Sequence, residues 1–234
     1  LARSLCDRRL GIGADGIMRV TPGVEGTDVT MQLRNADGGE AELSGNGLRC
    51  LAQAVVDAGV VPGPEVRVGT RAGVRRVVVL GEEGPGLVTV SVDMGDAKVG
   101  PDQPQDFPDR RARTVDMGNP HLVLLGPDPV GVDVAGLGPR IESVHPGGIN
   151  VEFVAVGPGE DTLAMRVWER GVGETQACGT GACAAAAAAH EWGLVGTRVT
   201  VRQPGGDAIV ELGADGVVLI GPSQRIGKVE VDVP

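Results

Sequence analysis

"GGEAELSGNGLRC" (residues 38–50) returns late in the chain as "VGETQACGTGACA" (residues 172–184). With Ser44 set over Cys178, both read Gly-Glu-x-x-x-[Ser/Cys]-Gly-x-Gly and run into a helical stretch. The offset is 178 − 44 = 134 residues. A motif repeated at that distance predicts two similar lobes, each with a helix whose N-terminus carries the motif.

The rest of the chain fits that plan. Short alternating runs punctuated by Gly and Pro predict strands: "DVTMQLRN" (28–35), "EVRVGT" (65–70), "RRVVVL" (75–80) and "GLVTVSVDMG" (86–95) in the first half. In the second half, "RTVDMG", "HLVLLG", "INVEFVAV", "TLAMRVWE", "RVTVRQP", "AIVELG" and "GVVLIG" read the same way. Leu48, Leu51, Ala52, Val55 and Val56 share one helical face, with Gly59 as a C-terminal stop. Ala182 to Ala189, interrupted by Cys183, is intrinsically helical, and its small side chains let strands pack close on every side. The expected fold is α+β: two pseudo-symmetric β-rich lobes, each a curved sheet around a central helix. The first lobe is expected over 1–112, completed by 224–234 through a returning strand "GKVEVDV", and the second over 113–223. "PDQPQDFP" (101–108) is the expected linker.

Composition narrows the partners. A formal net charge of -10 argues against nucleic acid, whose binding rests on neutralising phosphates. No apolar stretch approaches the ~20 residues that span a bilayer. The four cysteines include no CxxC, so reduced thiols in a cytoplasm are expected. Lys98 and Lys228 are the only lysines, leaving few candidates for a pyridoxal Schiff base. His121 and His145 have no metal-like spacing. The expectation is a small-molecule ligand with no cofactor and no metal. "GIGADG" (11–16) matches a dinucleotide fingerprint in letters only: charged "CDRR" precedes it and "IMRV" runs into Thr-Pro. Its glycines are read as a tight turn. The chain opens at Leu1 in a polar stretch, which reads as a fragment or truncated start.

Chemistry concentrates at the two helix starts. There, unpaired N–H groups and the positive end of the macrodipole favour a thiolate or seat a substrate carboxylate. Gly179 and Gly181 leave the backbone bare for close approach. Two such helices would grip one carboxylate and offer a group to each face of its α-carbon, which suits stereoinversion. Plainer readings stand beside this one. Ser44 serves equally as an N-cap, Cys178 as a buried structural thiol, Cys50 and Cys183 as core. Asn35, Asn119 and Asn150 can be turn residues, and Glu169-Arg170 a surface pair.

"RLGIGADG", "NADGGEAELSGNGLRC", "MGNPHLV", "NVEFV" and "WERGVGETQACGTGACAAA", in this order, resemble the successive signatures of the diaminopimelate epimerase family. The resemblance implies a two-lobed fold, interconversion of LL- and meso-diaminopimelate without pyridoxal or metal, a place in lysine and peptidoglycan-precursor synthesis, and a homodimer. Cys178 matches one catalytic cysteine, and Ser44 stands where the family has the other. His121 and Glu169 match a polar pair beside the thiols. Asn35, Asn119, Asn150, Glu169 and Arg170 match positions that hold the substrate's distal group and orient the reacting end. Gly45 and Asn46 match the first helix start, Gly179 and Thr180 the second. In the family an opening strand with H-G-x-x-N-D-F comes before the point where this chain begins.

Ser44 opens alternatives, because a serine hydroxyl is far weaker as an acid than a thiol titrating near ~8.5. One is a one-base or Ser/Cys relative acting on another amino acid. The other is a non-catalytic amino acid binder.

Overall fold

The computed structural model describes residues 1–41, 43–103 and 110–231. Its contacts divide the chain into two compact units, Leu1–Val92 with the segment from Pro222 onward, and Asp93–Gly221. The expected linker, 101–108, lies outside the described residues from 104 on. Its opening residues belong to a strand of the second unit.

The first unit contains α1 (Ala2–Cys6), β1 (Gly16–Pro22), β2 (Val29–Asn35), β3 (Glu40–Ala41), α2 (Gly45–Asp57), β4 (Glu65–Thr70), β5 (Gly73–Gly84) and β6 (Leu87–Gly95), whose last residues cross the division. Its sheet order is β1-β2-β4-β5-β6, with β3 beside β2. All pairs are antiparallel except β2–β4, which α2 connects as a crossover. Leu48, Leu51, Ala52 and Val55 bury one stripe of α2 against the strands. The opposite face is solvated, so Cys50 is exposed and not core. β1 is a strand the turn-rich sequence around it hid. The "GIGADG" glycines do form a tight loop: Gly13 has φ +83, and a Cβ on Gly11 would sit 2.1 Å from the Ser4 carbonyl oxygen.

The second unit contains β7 (Lys98–Asp102), β8 (Arg111–Asp116), β9 (Pro120–Leu125), α3 (Val134–Val144), β10 (Asn150–Val156), β11 (Thr162–Glu169), β12 (Gly173–Thr175), α4 (Gly179–Glu191), β13 (Arg198–Gln203), β14 (Gly206–Gly213) and β15 (Gly216–Gln224). Its sheet runs β15-β14-β13-β11-β10-β9-β8-β7, with β12 beside β11. α4 packs against β7 to β11, β13 and β14, and every residue from Gly179 to Ala189 is buried. A helix surrounded by strands needs apolar side chains all round and a small radius, which is what alanine supplies. α3 covers the other face of β10, where Val151 and Phe153 join Leu122, Leu124, Val134 and Ile141 in one core cluster. Gly136, Gly138 and Pro139 disguised α3 in the sequence. Gly138 is required by close packing, since a Cβ there would lie 2.3 Å from Trp168 Cγ.

The repeat extends well beyond the motif. Adding 134 to β1 (16–22) lands on β10 (150–156), and adding it to α2 (45–57) lands on α4 (179–191). Met18 pairs with Leu33 as Glu152 pairs with Val167, at the same offset. Both helices end alike, at Ala58 and Trp192 followed by Gly59 (φ +67) and Gly193 (φ +71).

Of the expected returning strand "GKVEVDV" (227–233), the last two residues lie outside the described residues; residues 225–231 carry no regular structure and are exposed. The chain rejoins the first unit earlier, where Ser223 Oγ donates to Gln53 Oε1 (2.7 Å) and Arg49 Nε donates to the Pro222 carbonyl (3.1 Å).

Candidate active site

In the second unit, Cys178 is the N-cap of α4. The Gly181 N–H donates to its Sγ at 3.4 Å, and Thr180 Oγ1 lies 3.5 Å from the same sulfur. Cys178's own N–H donates to Gln203 Oε1 (2.8 Å), anchoring the residue from β13. Cys178 as a whole is 6% exposed.

The expectation that the helix start favours a thiolate is overturned. Burial pushes the Cys178 thiol well up, and the negative charges of Glu169 and Glu152 push it further, while the Thr180 and Gly181 hydrogen bonds oppose them. The first turn offers only a few dipolar contacts, whereas loss of water and two carboxylates act on the whole charge. Cys178 therefore rests as a thiol, charged with a proton to donate.

Glu169, the last residue of β11, accepts a hydrogen bond from Thr175 Oγ1 on β12. Burial raises its carboxyl above the usual range; Glu152 adds to this, and Thr175, His121 and Cys178 counter it. His121 is fully buried, with Nδ1 2.7 Å from Glu152 Oε1 and Nε2 3.0 Å from Asn119 Oδ1. Asn119 Nδ2 in turn reaches Thr180 Oγ1 at 3.4 Å. A chain of hydrogen-bonding groups thus runs Glu152–His121–Asn119–Thr180–Cys178.

Asn150 takes a supporting part. Its Nδ2 donates to the Pro120 carbonyl (2.8 Å), and its Oδ1 accepts from the Arg170 N–H (2.9 Å). It is 5% exposed, so it ties the start of β9 to the Glu169–Arg170 turn. Glu142 of α3 holds that turn from the other side, accepting from Trp168 Nε1 (2.7 Å) and the Gly171 N–H (3.0 Å).

In the first unit, Ser44 caps α2 in the same way, its Oγ accepting from the Gly47 N–H at 3.0 Å. Its backbone angles, φ −144 and ψ 116, are close to those of Cys178, φ −123 and ψ 117. Gly45 is buried at the first turn, and Asn46 Oδ1 accepts from Arg49 Nη2 at 3.1 Å. Asn35 ends β2 at the place in the repeat where Glu169 ends β11 (169 − 35 = 134).

Sequence reading passed over Glu152, Gln203, Thr175 and Glu142. Glu152 alone carried a signal: it is the one charged residue within "INVEFVAV", a run otherwise suited to a strand buried on both faces. The partners of the other three depend on which strands and helices become neighbours. Among the described residues no group of three His, Cys, Asp or Glu could hold a metal ion, and no helix is long and apolar enough to cross a membrane.

Solved structures define the fold. The fold matches a probable proline racemase from Agrobacterium radiobacter K84 (TM-score 0.74, 20% identity, covering 98% of this chain and 80% of that one). It also matches a hydroxyproline epimerase from Agrobacterium vitis (TM-score 0.71, 18% identity, covering 95% and 78%). The shared architecture is a strand-rich α+β fold with few helices. The profile of the diaminopimelate epimerase family matches residues 1–100 and 113–226. Diaminopimelate epimerase of Corynebacterium glutamicum is 43% identical over 244 residues, covering 98% of this chain and 87% of its own length. That of Desulfitobacterium hafniense is 39% identical over 246 residues, covering 97% and 86%. The chain belongs to the diaminopimelate epimerase family, and it is an isomerase of that type.

Proposed function

We propose that the protein interconverts LL- and meso-2,6-diaminopimelate by α-proton transfer between two faces, serving lysine and peptidoglycan-precursor synthesis in the cytoplasm as a homodimer that needs no cofactor. The observation that carries the reading is the duplicated helix start. Ser44 and Cys178 cap α2 and α4 with the same geometry, and each is followed by bare glycine backbone suited to a carboxylate. Cys178 is the proton donor to one face, since its resting form is the thiol. When the proton has left, the same sulfur is the base for the reverse direction. His121 and Glu169 hold the polar surroundings of that sulfur. Asn119, Thr180 and Gly179 line the helix start that receives the α-carboxylate, and Asn35, Asn150 and Arg170 belong to the grip on the distal amino acid group. Gly45 and Asn46 play the helix-start part in the first unit.

Ser44 acts on the opposite face. A hydroxyl is a poor proton carrier, so this half-reaction is the slow one. A one-base reading has its own support, because Ser44 Oγ already serves as a helix cap. Cys178 does the same with Gly181, so capping alone does not disqualify the hydroxyl.

The test is α-proton exchange in D2O, followed by NMR, with the LL and meso isomers offered separately. Deuterium entering together with the opposite isomer supports two-face transfer. Exchange without inversion means that Cys178 works alone. Ser44→Cys is expected to raise epimerisation, and an unchanged rate would sink the two-base reading. Cys178→Ala is expected to lower turnover by about 10²–10⁴-fold; retained epimerisation would exclude both enzyme readings.

A further inference from the structure

The inference rests on the epimerase reading and concerns a residue it did not use. Glu152 is fully buried on β10, on the face that packs against α4, while its neighbours Val151 and Phe153 point into the α3 core. Burying a carboxylate out of water is costly unless its oxygens are well paired. The cost is only partly offset here. Glu152 Oε1 meets His121 Nδ1 at 2.7 Å, but Oε2 is buried with no hydrogen-bond partner among the described residues.

The internal repeat shows what the fold itself requires at this spot. Residue 152 − 134 is Met18, at the matching register of β1. Met18 Sδ lies 3.0 Å from where a Cβ on Gly47 would be, and Glu152 Oε1 lies 2.8 Å from where a Cβ on Gly181 would be. Both side chains fill the same niche beneath the third residue of the helix. A thioether fills it in the first unit with no charge at all. Packing therefore does not explain the carboxylate in the second.

We infer that Glu152 is a positioning residue for the thiol half of the reaction: its buried carboxylate fixes the His121 ring and, through Asn119 and Thr180, sets the orientation of the Cys178 thiol. The ring is held at both nitrogens, by Glu152 at Nδ1 and by Asn119 at Nε2, so it cannot turn without breaking one contact. Asn119, fixed in this way, presents its amide to Thr180, whose hydroxyl touches the sulfur. The ionisable groups facing Glu152 are His121 on β9, Glu169 on β11 and Cys178 at the start of α4; Glu142 on α3 faces Trp168 and Gly171 instead.

Glu152→Gln is the deciding variant, because glutamine fills the same space and still hydrogen-bonds. It is made in a Cys50→Ser background, which removes the exposed thiol. Two quantities are read: kcat and KM for epimerisation, and the rate of Cys178 alkylation by iodoacetamide against pH. The expected result is a fall in kcat of at least ~10-fold with KM within about twofold. The alkylation midpoint should also move to lower pH, since one of the charges that raises the thiol is gone. A variant with wild-type kcat would overturn the inference. So would a kcat loss with an unmoved alkylation midpoint and a lowered thermal midpoint, which is the mark of a packing role alone. If the parent protein turns over neither isomer, the epimerase reading fails by itself, and the alkylation profile still decides whether Glu152 acts on Cys178.

Discussion

At the scale of single residues, the second unit keeps two carboxylates and a thiol out of water around one imidazole, and each pays a desolvation penalty in the folded state. Glu169 shows the consequence for stability. Its folded-state carboxyl titrates above the ordinary value of 4.5, chiefly through burial. A raised value means that the protonated form is the one the fold favours. The associated stability is complete below pH 4.5 and is lost as pH rises through the folded value. Glu169→Gln removes that loss. Its thermal midpoint is expected to exceed that of the parent at pH 8, by about 2–4 °C for each kcal/mol relieved. The two midpoints should converge below pH 4.5, as differential scanning calorimetry across pH 4–8 would show. Activity should fall in the same variant, so stability and function pull against each other at this site.

At the scale of elements, the equivalent glycines of α2 and α4 face unequal neighbours. An alanine at Gly47 presses on Met18 Sδ (3.0 Å), the far part of a flexible side chain, and on Ser44 (3.2 Å). An alanine at Gly181 presses on Glu152 Oε1 (2.8 Å), which is fixed by His121, and on Cys178 itself (3.3 Å). Gly181→Ala is therefore expected to destabilise by about 1–3 kcal/mol in urea titrations and to disable turnover, with Gly47→Ala milder in its effect on stability because Met18 can yield where Glu152 cannot. Equal effects would mean that the two niches are equally adaptable. α3 contributes at this scale too: through Glu142 it sets the turn that carries Glu169 and Arg170, although it contains none of the residues predicted from the sequence to act.

At the scale of the whole molecule, acid stability has an identifiable contributor within the second unit. Asp102 of β7 accepts from Trp192 Nε1 (2.7 Å), Arg111 (3.0 Å) and Arg113 (2.8 Å), and both guanidinium groups lie over the Trp192 ring. These contacts tie two strands to the end of α4. They hold the Asp102 carboxyl down at about 2, with the Trp192 hydrogen bond the largest cause. A depressed value stabilises above the ordinary carboxylate range and is lost as pH falls toward about 2. Asp102 is partly solvated, so screening keeps its contribution to about 1 kcal/mol or less. Asp102→Asn is expected to lower the thermal midpoint at pH 7 and to leave it unchanged near pH 2, as circular dichroism melts would test.

The sequence by itself determined the repeat, most strands, both motif-bearing helices and the family, because periodicity, glycine punctuation and the [Ser/Cys]-Gly-x-Gly starts are local signals that the chain carries along its length. Ser44 and Cys178 could be named as equivalents for the same reason. Only the tertiary structure decided how Cys178 ionises, since that depends on water excluded by seven strands and on charges from β10 and β11, not on its own helix turn. It also exposed Cys50, whose helix has strands on one side only. Tertiary structure alone revealed α3, where close contact with Trp168 requires a glycine at 138 that depresses helix propensity. It likewise gave Glu152 its meaning, because a lone charge in an apolar run becomes interpretable only when its partner, His121, and its counterpart, Met18, are seen in place.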